Sequence, residues 1–169
     1  MTMRHCNRWM LAAILTLCCA INVSAQRMDD ATPEAGSHAP NFTLTDLNGQ
    51  KLSLTSLRGK YVVLDFWATW CGWCIKGFPK MKKYYEKHRD KLEIVGMNCS
   101  DPVDEWKEAV DEYDLPWPQV NVPKDSKVFD DYIISGLPTK VIINPQGKVV
   151  TTYLGEDKEF YDILDKTLK

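Results

Sequence analysis

The chain has 169 residues, long enough for one domain with a short extension. Its hydrophobic fraction of 44% supports a core of its own, so it is no disulfide-dense miniprotein. A formal net charge of -2 gives no reason to expect nucleic acid as a partner.

The N-terminus opens with Arg4, His5 and Arg8, then runs apolar from Trp9 to Ile21 apart from Thr16. Val23-Ser24-Ala25 places small residues before Gln26, which completes the three-part plan of a secretory signal peptide over residues 1–25. The apolar run is shorter than the roughly 20 residues a spanning helix needs. The mature domain is therefore not expected to span a membrane. The alternatives are an uncleaved anchor or a lipid on Cys18 or Cys19, although Leu17 and Cys18 stand where lipidation wants a small residue. After cleavage the cysteines are Cys71, Cys74 and Cys99, and an odd number argues against a framework of structural bridges.

Residues 26–37 are polar, with Pro33 and Gly36, and read as a flexible lead-in to a domain over 38–169. Residues 41–54 alternate apolar and polar on both sides of Asn48-Gly49, a hairpin signal. A turn is expected over 56–60. Residues 61–67, YVVLDFW, predict a strand buried on both faces, with Asp65 anomalous inside it. From Gly72 to about Lys91 the spacing becomes helical through Phe78, Met81, Tyr85 and His88, with Pro79 expected to kink the helix. A second buried strand follows over 92–98.

Residues 102–113 predict an amphipathic helix with Val103, Trp106, Val110 and Tyr113 inward, and 125–132 a shorter helical piece. Residues 140–144 and 148–153 pair across Asn144-Pro145-Gln146-Gly147. A last helix covers 156–168, with Phe160, Ile163, Leu164 and Leu168 inward. The order, a hairpin, then β-α-β-α, then β-β-α, predicts one α/β sheet with helices on both faces. The helix over 72–91 is mostly basic and the one over 102–113 mostly acidic. Both read as solvated faces, the basic one also suited to steering acidic partners.

The chemistry concentrates in WATWCGWC, Trp67 to Cys74. Cys71 falls where the buried strand ends and the helix begins. Unpaired N–H groups and the positive end of the helix dipole favour a thiolate there. The thiolate is the attacking species in disulfide exchange. Cys74 lies one turn on, within reach of a mixed disulfide at Cys71. A zinc site would need two more ligands. A static bridge across so short a loop gains little chain entropy.

VVLDFWATWCGWC, with Pro79 and a distant Gly136-Leu137-Pro138-Thr139, resembles the thioredoxin superfamily. The exported N-terminus and the opening HAPNFTLTDLNGQKLSLTSLRGKYVVLDFWATWC resemble its periplasmic TlpA/ResA-like thiol–disulfide oxidoreductases. The resemblance implies a thioredoxin fold, a central mixed sheet flanked by helices with an extra N-terminal hairpin. It implies a redox-active Cys71–Cys74 disulfide, Cys71 as the exposed nucleophile and Cys74 as the buried resolving thiol. Pro138 matches a cis-proline facing the pair. Leu137 offers its backbone to an extended substrate, and Gly155 matches a loop glycine near the site. Trp70 and Trp73 are candidates for a docking surface. Asp65 matches the buried carboxylate behind the resolving cysteine, suited to proton transfer. The lysine that accompanies it in many thioredoxins falls at Gly96, so Asp65 is expected to lack such a partner and to stay partly protonated. Cys99 is expected to be an apolar filler.

The resemblance also implies no dissociable cofactor and no metal. It implies protein dithiol or disulfide partners, such as an apocytochrome c or a metal-site assembly protein, a membrane dithiol donor and a role in cell redox homeostasis. Two other classes stand beside it. A thiol peroxidase of peroxiredoxin type would want threonine three residues before its cysteine, whereas Thr69 stands two before Cys71 with Trp70 between. A non-catalytic binding module would not need the intact cysteine pair.

Overall fold

The computed structural model describes residues 33–169. The signal peptide expected over 1–25 and most of the lead-in lie outside the described residues. The elements run β1 (Thr43–Thr45), β2 (Lys51–Ser53), β3 (Tyr61–Trp67), α1 (Gly72–His88), β4 (Leu92–Cys99), α2 (Val103–Glu112), β5 (Gln119–Val122), α3 (Val128–Asp131), β6 (Thr139–Ile143), β7 (Val149–Leu154) and α4 (Lys158–Thr167). A 3-10 turn over Leu54–Leu57 links β2 towards β3. Among the described residues no helix is long and apolar enough to cross a membrane.

The five-stranded sheet has the order β5-β4-β3-β6-β7. β3, β4 and β5 run parallel, and β6 and β7 are antiparallel to their neighbours. β3 is therefore central, which explains its near-continuous apolar sequence. Period-two alternation sorts its side chains. Val63 and Trp67 join the core with α1, α2 and α4, while Val62, Leu64 and Phe66 join the other core with Tyr132 and the N-terminal segment. Asp65 falls in step with Val63 and Trp67, on the side of α1. On β6, Lys140 falls in step with Ile142, on that same side.

The predicted hairpin forms, with β1 and β2 pairing antiparallel. A bridge from Asp46 to Val120 ties it to β5. At the other edge, inside the stretch expected to be flexible, the Gly36 N–H donates to the Val149 carbonyl at 2.8 Å. The Val149 N–H in turn donates to Ser37 at 2.9 Å. Each sheet edge is thus covered at one point, Val120 on β5 and Val149 at the start of β7.

One strand is unforeseen and two expectations change. β5 lies in a stretch between two prolines, Pro118 and Pro123, that has no strand pattern of its own, and it pairs with β4 through Met97 and Val120. The helical piece at 125–132 shrinks to the single turn α3. Val103, expected inward, is 51% exposed because it starts α2, whose buried residues are Trp106, Ala109 and Val110. α1 continues through Pro79 to His88.

Candidate active site

The end of β3 and the start of α1 build the site. Ala68, Thr69 and Trp70 join them, and Cys71 is the N-cap of α1. Its Sγ accepts the Cys74 N–H at 3.2 Å, so one of the helix's unpaired donors points at the sulfur. Cys71 and Cys74 are joined as a disulfide. Cys71 is 6% exposed and Cys74 1%. Cys71, expected to be exposed, is buried here like Cys74, with only an edge of the residue open.

A buried polar network that no motif announces fixes the joining loop. The Asp101 carboxylate accepts the Thr69 N–H and the Asn98 amide, both at 2.7 Å. Asn98 accepts the Asp101 N–H and the Asn121 amide, each at 3.2 Å. Thr69 stands two residues before Cys71, so β4 and β5 hold the cysteine loop from behind.

The Leu137–Pro138 peptide is cis. The Pro138 carbonyl accepts the Gly155 N–H at 2.8 Å. Gly155 has φ +124°, which side chains rarely tolerate, so the glycine lets the loop after β7 turn in beneath the proline. Trp70 and Trp73 stand out from the protein at 72% and 63% exposure. A groove of about 480 Å³ beside Trp70 is lined by Leu137, Phe129, Ile134 and Cys99. Another of about 480 Å³ beside Trp73 is lined by Leu137, Pro138, Leu154, Gly155 and Asp157. The Lys76 ammonium lies 4.6 Å from the Trp73 ring centre.

The register places Asp65 opposite Gly96 on one side and Lys140 on the other. The expectation that Asp65 lacks a lysine is corrected here. Lys140 Nζ donates to Asp65 Oδ1 at 2.8 Å and lies 3.0 Å from Glu156 Oε2. The side chains of Lys140, Asp65 and Glu156 are 1%, 2% and 8% exposed. The lysine has moved from one neighbouring strand to the other, and partial protonation of Asp65 loses its premise. Burial pulls the Lys140 ammonium down, but the charges of Asp65 and Glu156 outweigh it and hold the group above its ordinary value. Gly96 has another use. A Cβ there would stand 2.0 Å from Gln119 Oε1, which accepts the buried Trp67 indole N–H at 3.1 Å.

Cys99 lies partly buried at the end of β4 and donates weakly to the Met97 carbonyl at 3.4 Å. Burial, then the charges of Asp65 and Asp101, push its thiol up to about 12. Among the described residues no group of three or more His, Cys, Asp or Glu is arranged to hold a metal ion.

The profile of the AhpC/TSA family matches residues 35–152. A thiol-disulfide oxidoreductase ResA of Bacillus cereus is 37% identical over 147 residues, covering 85% of this chain and 84% of that protein. ResA of Bacillus subtilis is 38% identical over 146 residues, covering 84% and 81%. Among solved structures, the thioredoxin domain of a thiol-disulfide oxidoreductase from Bacteroides vulgatus superposes with a TM-score of 0.74 at 34% identity, covering 80% of this chain and 99% of that one. A thiol:disulfide interchange protein from Bacteroides sp. gives 0.73 at 35%, covering 82% and 92%.

Proposed function

This chain belongs to the AhpC/TSA family and has a thioredoxin-like fold, and from that footing we propose that it is a thiol–disulfide oxidoreductase of the ResA kind, working through Cys71 and Cys74. The observation that carries the proposal is the disulfide-forming cysteine pair at the start of α1, with a helix N–H aimed at the Cys71 sulfur.

The Cys71 thiolate attacks one sulfur of a substrate disulfide. A bond forms between Cys71 and that sulfur, the substrate S–S bond breaks, and the other substrate sulfur leaves as a thiolate. Cys74 then attacks Cys71, forming the Cys71–Cys74 bond and releasing the second substrate thiolate. Two electrons pass to the substrate, and the protons given up by the pair end on the substrate sulfurs. Asp65, behind the pair on the α1 side of β3, takes part in proton handling for Cys74. Leu137 and Pro138 line up an extended substrate segment, and the exposed rings of Trp70 and Trp73 grip its flanks.

The protein works as a reductant in this reading. The basic, apolar and small-residue sequence of residues 1–25 supports export and cleavage, which puts the domain in the periplasm of a Gram-negative bacterium, recharged by a membrane dithiol donor. Its substrates are protein disulfides of the kind found in an apocytochrome c or a metal-site assembly protein.

Insulin reduction with a chemical dithiol as donor tests the activity. Cys71→Ser abolishes it, and Cys74→Ser accumulates mixed disulfides on Cys71, mapped by peptide mass spectrometry. Mixed disulfides on Cys74 instead would reverse the assignment, and consumption of peroxide in place of insulin would move the protein to the peroxidase class.

A further inference from the structure

Glu156 belongs to no motif in the sequence, yet it packs against the helix that carries the cysteines. Its Oε1 accepts the Tyr161 hydroxyl at 2.6 Å. Its Oε2 lies 3.0 Å from Lys140 Nζ but is out of line for a hydrogen bond, and it is buried without another partner. The same side chain lines the groove shared by Trp73 and Pro138.

Gly77 explains how it fits. A Cβ on Gly77 would stand 2.4 Å from both Cδ and Oε2 of Glu156. The carboxylate therefore fills the space that a side chain on α1 would occupy. Gly77 follows Cys74 by three residues, so both are on one face of the helix, with Cβ positions about 5–6 Å apart. The Glu156 carboxylate thus reaches α1 one turn from the resolving thiol.

The charges around it come from every packed element. Asp65 arrives from β3, Lys140 from β6, and Tyr161 from α4, with the Lys80 ammonium 3.6 Å over the Tyr161 ring from the solvent side. One buried ammonium serves two acids. Asp65 and Lys140 form the closer, hydrogen-bonded pair, so the two buried carboxylates outnumber the one buried ammonium, while Lys76, Lys80 and Lys158 border Glu156 from the open groove.

We propose that Glu156 is a positioning residue for the redox pair: its carboxylate, seated against Gly77, holds Cys74 as a thiol while Cys71 is the thiolate. The proposal rests on the thiol–disulfide reading and adds a determinant of which cysteine attacks first. Cys74 gives up its proton only in the resolving step, when its sulfur bonds to Cys71 and the departing substrate thiolate takes a proton.

The test uses Cys71→Ser protein, in which Cys74 is the remaining thiol of the pair. Iodoacetamide labelling of Cys74 is followed from pH 6 to 11 and read peptide by peptide. A unit charge about 7 Å away, at an effective dielectric of about 20, moves a pKa by between one and two units. Glu156→Gln is expected to lower the labelling midpoint by about that much and to leave the plateau rate unchanged. Gly77→Ala pushes the carboxylate from its seat without altering its chemistry, and is expected to lower the midpoint too. It carries the test if Glu156→Gln does not fold. A looser helix would raise the plateau rate instead. An unmoved or raised midpoint in folded protein, or a change confined to the plateau, overturns the proposal. Insulin reduction by the native cysteine pair is measured separately, so failure there removes the oxidoreductase reading without touching the labelling result.

Discussion

Lys140→Met removes the one cation in a cluster of two buried acids and keeps the length of the side chain. In the wild type, Lys140 lies 2.8 Å from Asp65 and 3.0 Å from Glu156, with almost no exposure. Burial disfavours its charge, but the two acids win and raise its pKa. A raised folded value means the stabilisation is fully present below the unfolded value near ~10.4 and is lost only as pH climbs through the folded one. At neutral pH the cluster therefore contributes in full. Breaking a buried pair by removing one partner costs about 3–5 kcal/mol, because the other charge is left uncompensated. For a chain of this size, ~3 °C per kcal/mol translates that into a melting temperature lower by about 10–15 °C. Urea unfolding should show the same loss as a lower midpoint with an unchanged slope. Replacing either acid in the Lys140→Met background should restore part of the stability. A loss below about 1 kcal/mol would refute the argument that the lysine holds the cluster together.

Asp65→Asn, in the presence of Lys140, is expected to lower stability as well, since it weakens the charge-assisted hydrogen bond that the buried ammonium makes; a higher melting temperature would mean that burial of the acid outweighs its pairing. Cys99 should resist iodoacetamide in native protein at pH 8, where a thiol pushed up to about 12 is ionised in only about one part in ten thousand, and Cys99→Ala should keep full insulin reduction; rapid labelling would make it a third redox thiol. Trp70→Ala is expected to raise KM for protein substrates about 5- to 30-fold, as loss of an interface aromatic does, with little change towards a small disulfide. An equal loss towards both would mean that Trp70 holds the cysteine loop and does not dock substrate.

The central strands, α1 and the cysteine pair are legible in the sequence because each has its own local signal. β3 is apolar on both faces because it is central, and Cys71 is marked by the change from strand to helix period. β5 has no such signal. Gln119 and Asn121 are polar, prolines flank the segment, and it is a strand because β4 offers an unpaired edge. The Asn98–Asp101–Asn121 network is equally silent. Its members carry no motif, and they meet only when β4 and β5 align side by side and bring Asp101 to the Thr69 N–H.

Asp65 shows where one-strand reasoning ends. Its position within β3 placed it correctly opposite Gly96, and the absence of lysine there is real. The missing cation lay on the other neighbour, in a strand that arrives 75 residues later and runs the opposite way. A signal for it existed in part: a lone Lys140 among Val141, Ile142 and Ile143 is a charge where a buried strand should have none, as Asp65 is. Two opposite charges, each alone in an apolar strand, satisfy one another most cheaply when the strands are adjacent. That rule picks out Lys140 for Asp65 from sequence alone. It does not find Glu156, which sits just before α4 among polar residues and is drawn inward by the space at Gly77. A glycine on the inner face of α1, which costs the helix stability relative to alanine, was the remaining trace of that carboxylate.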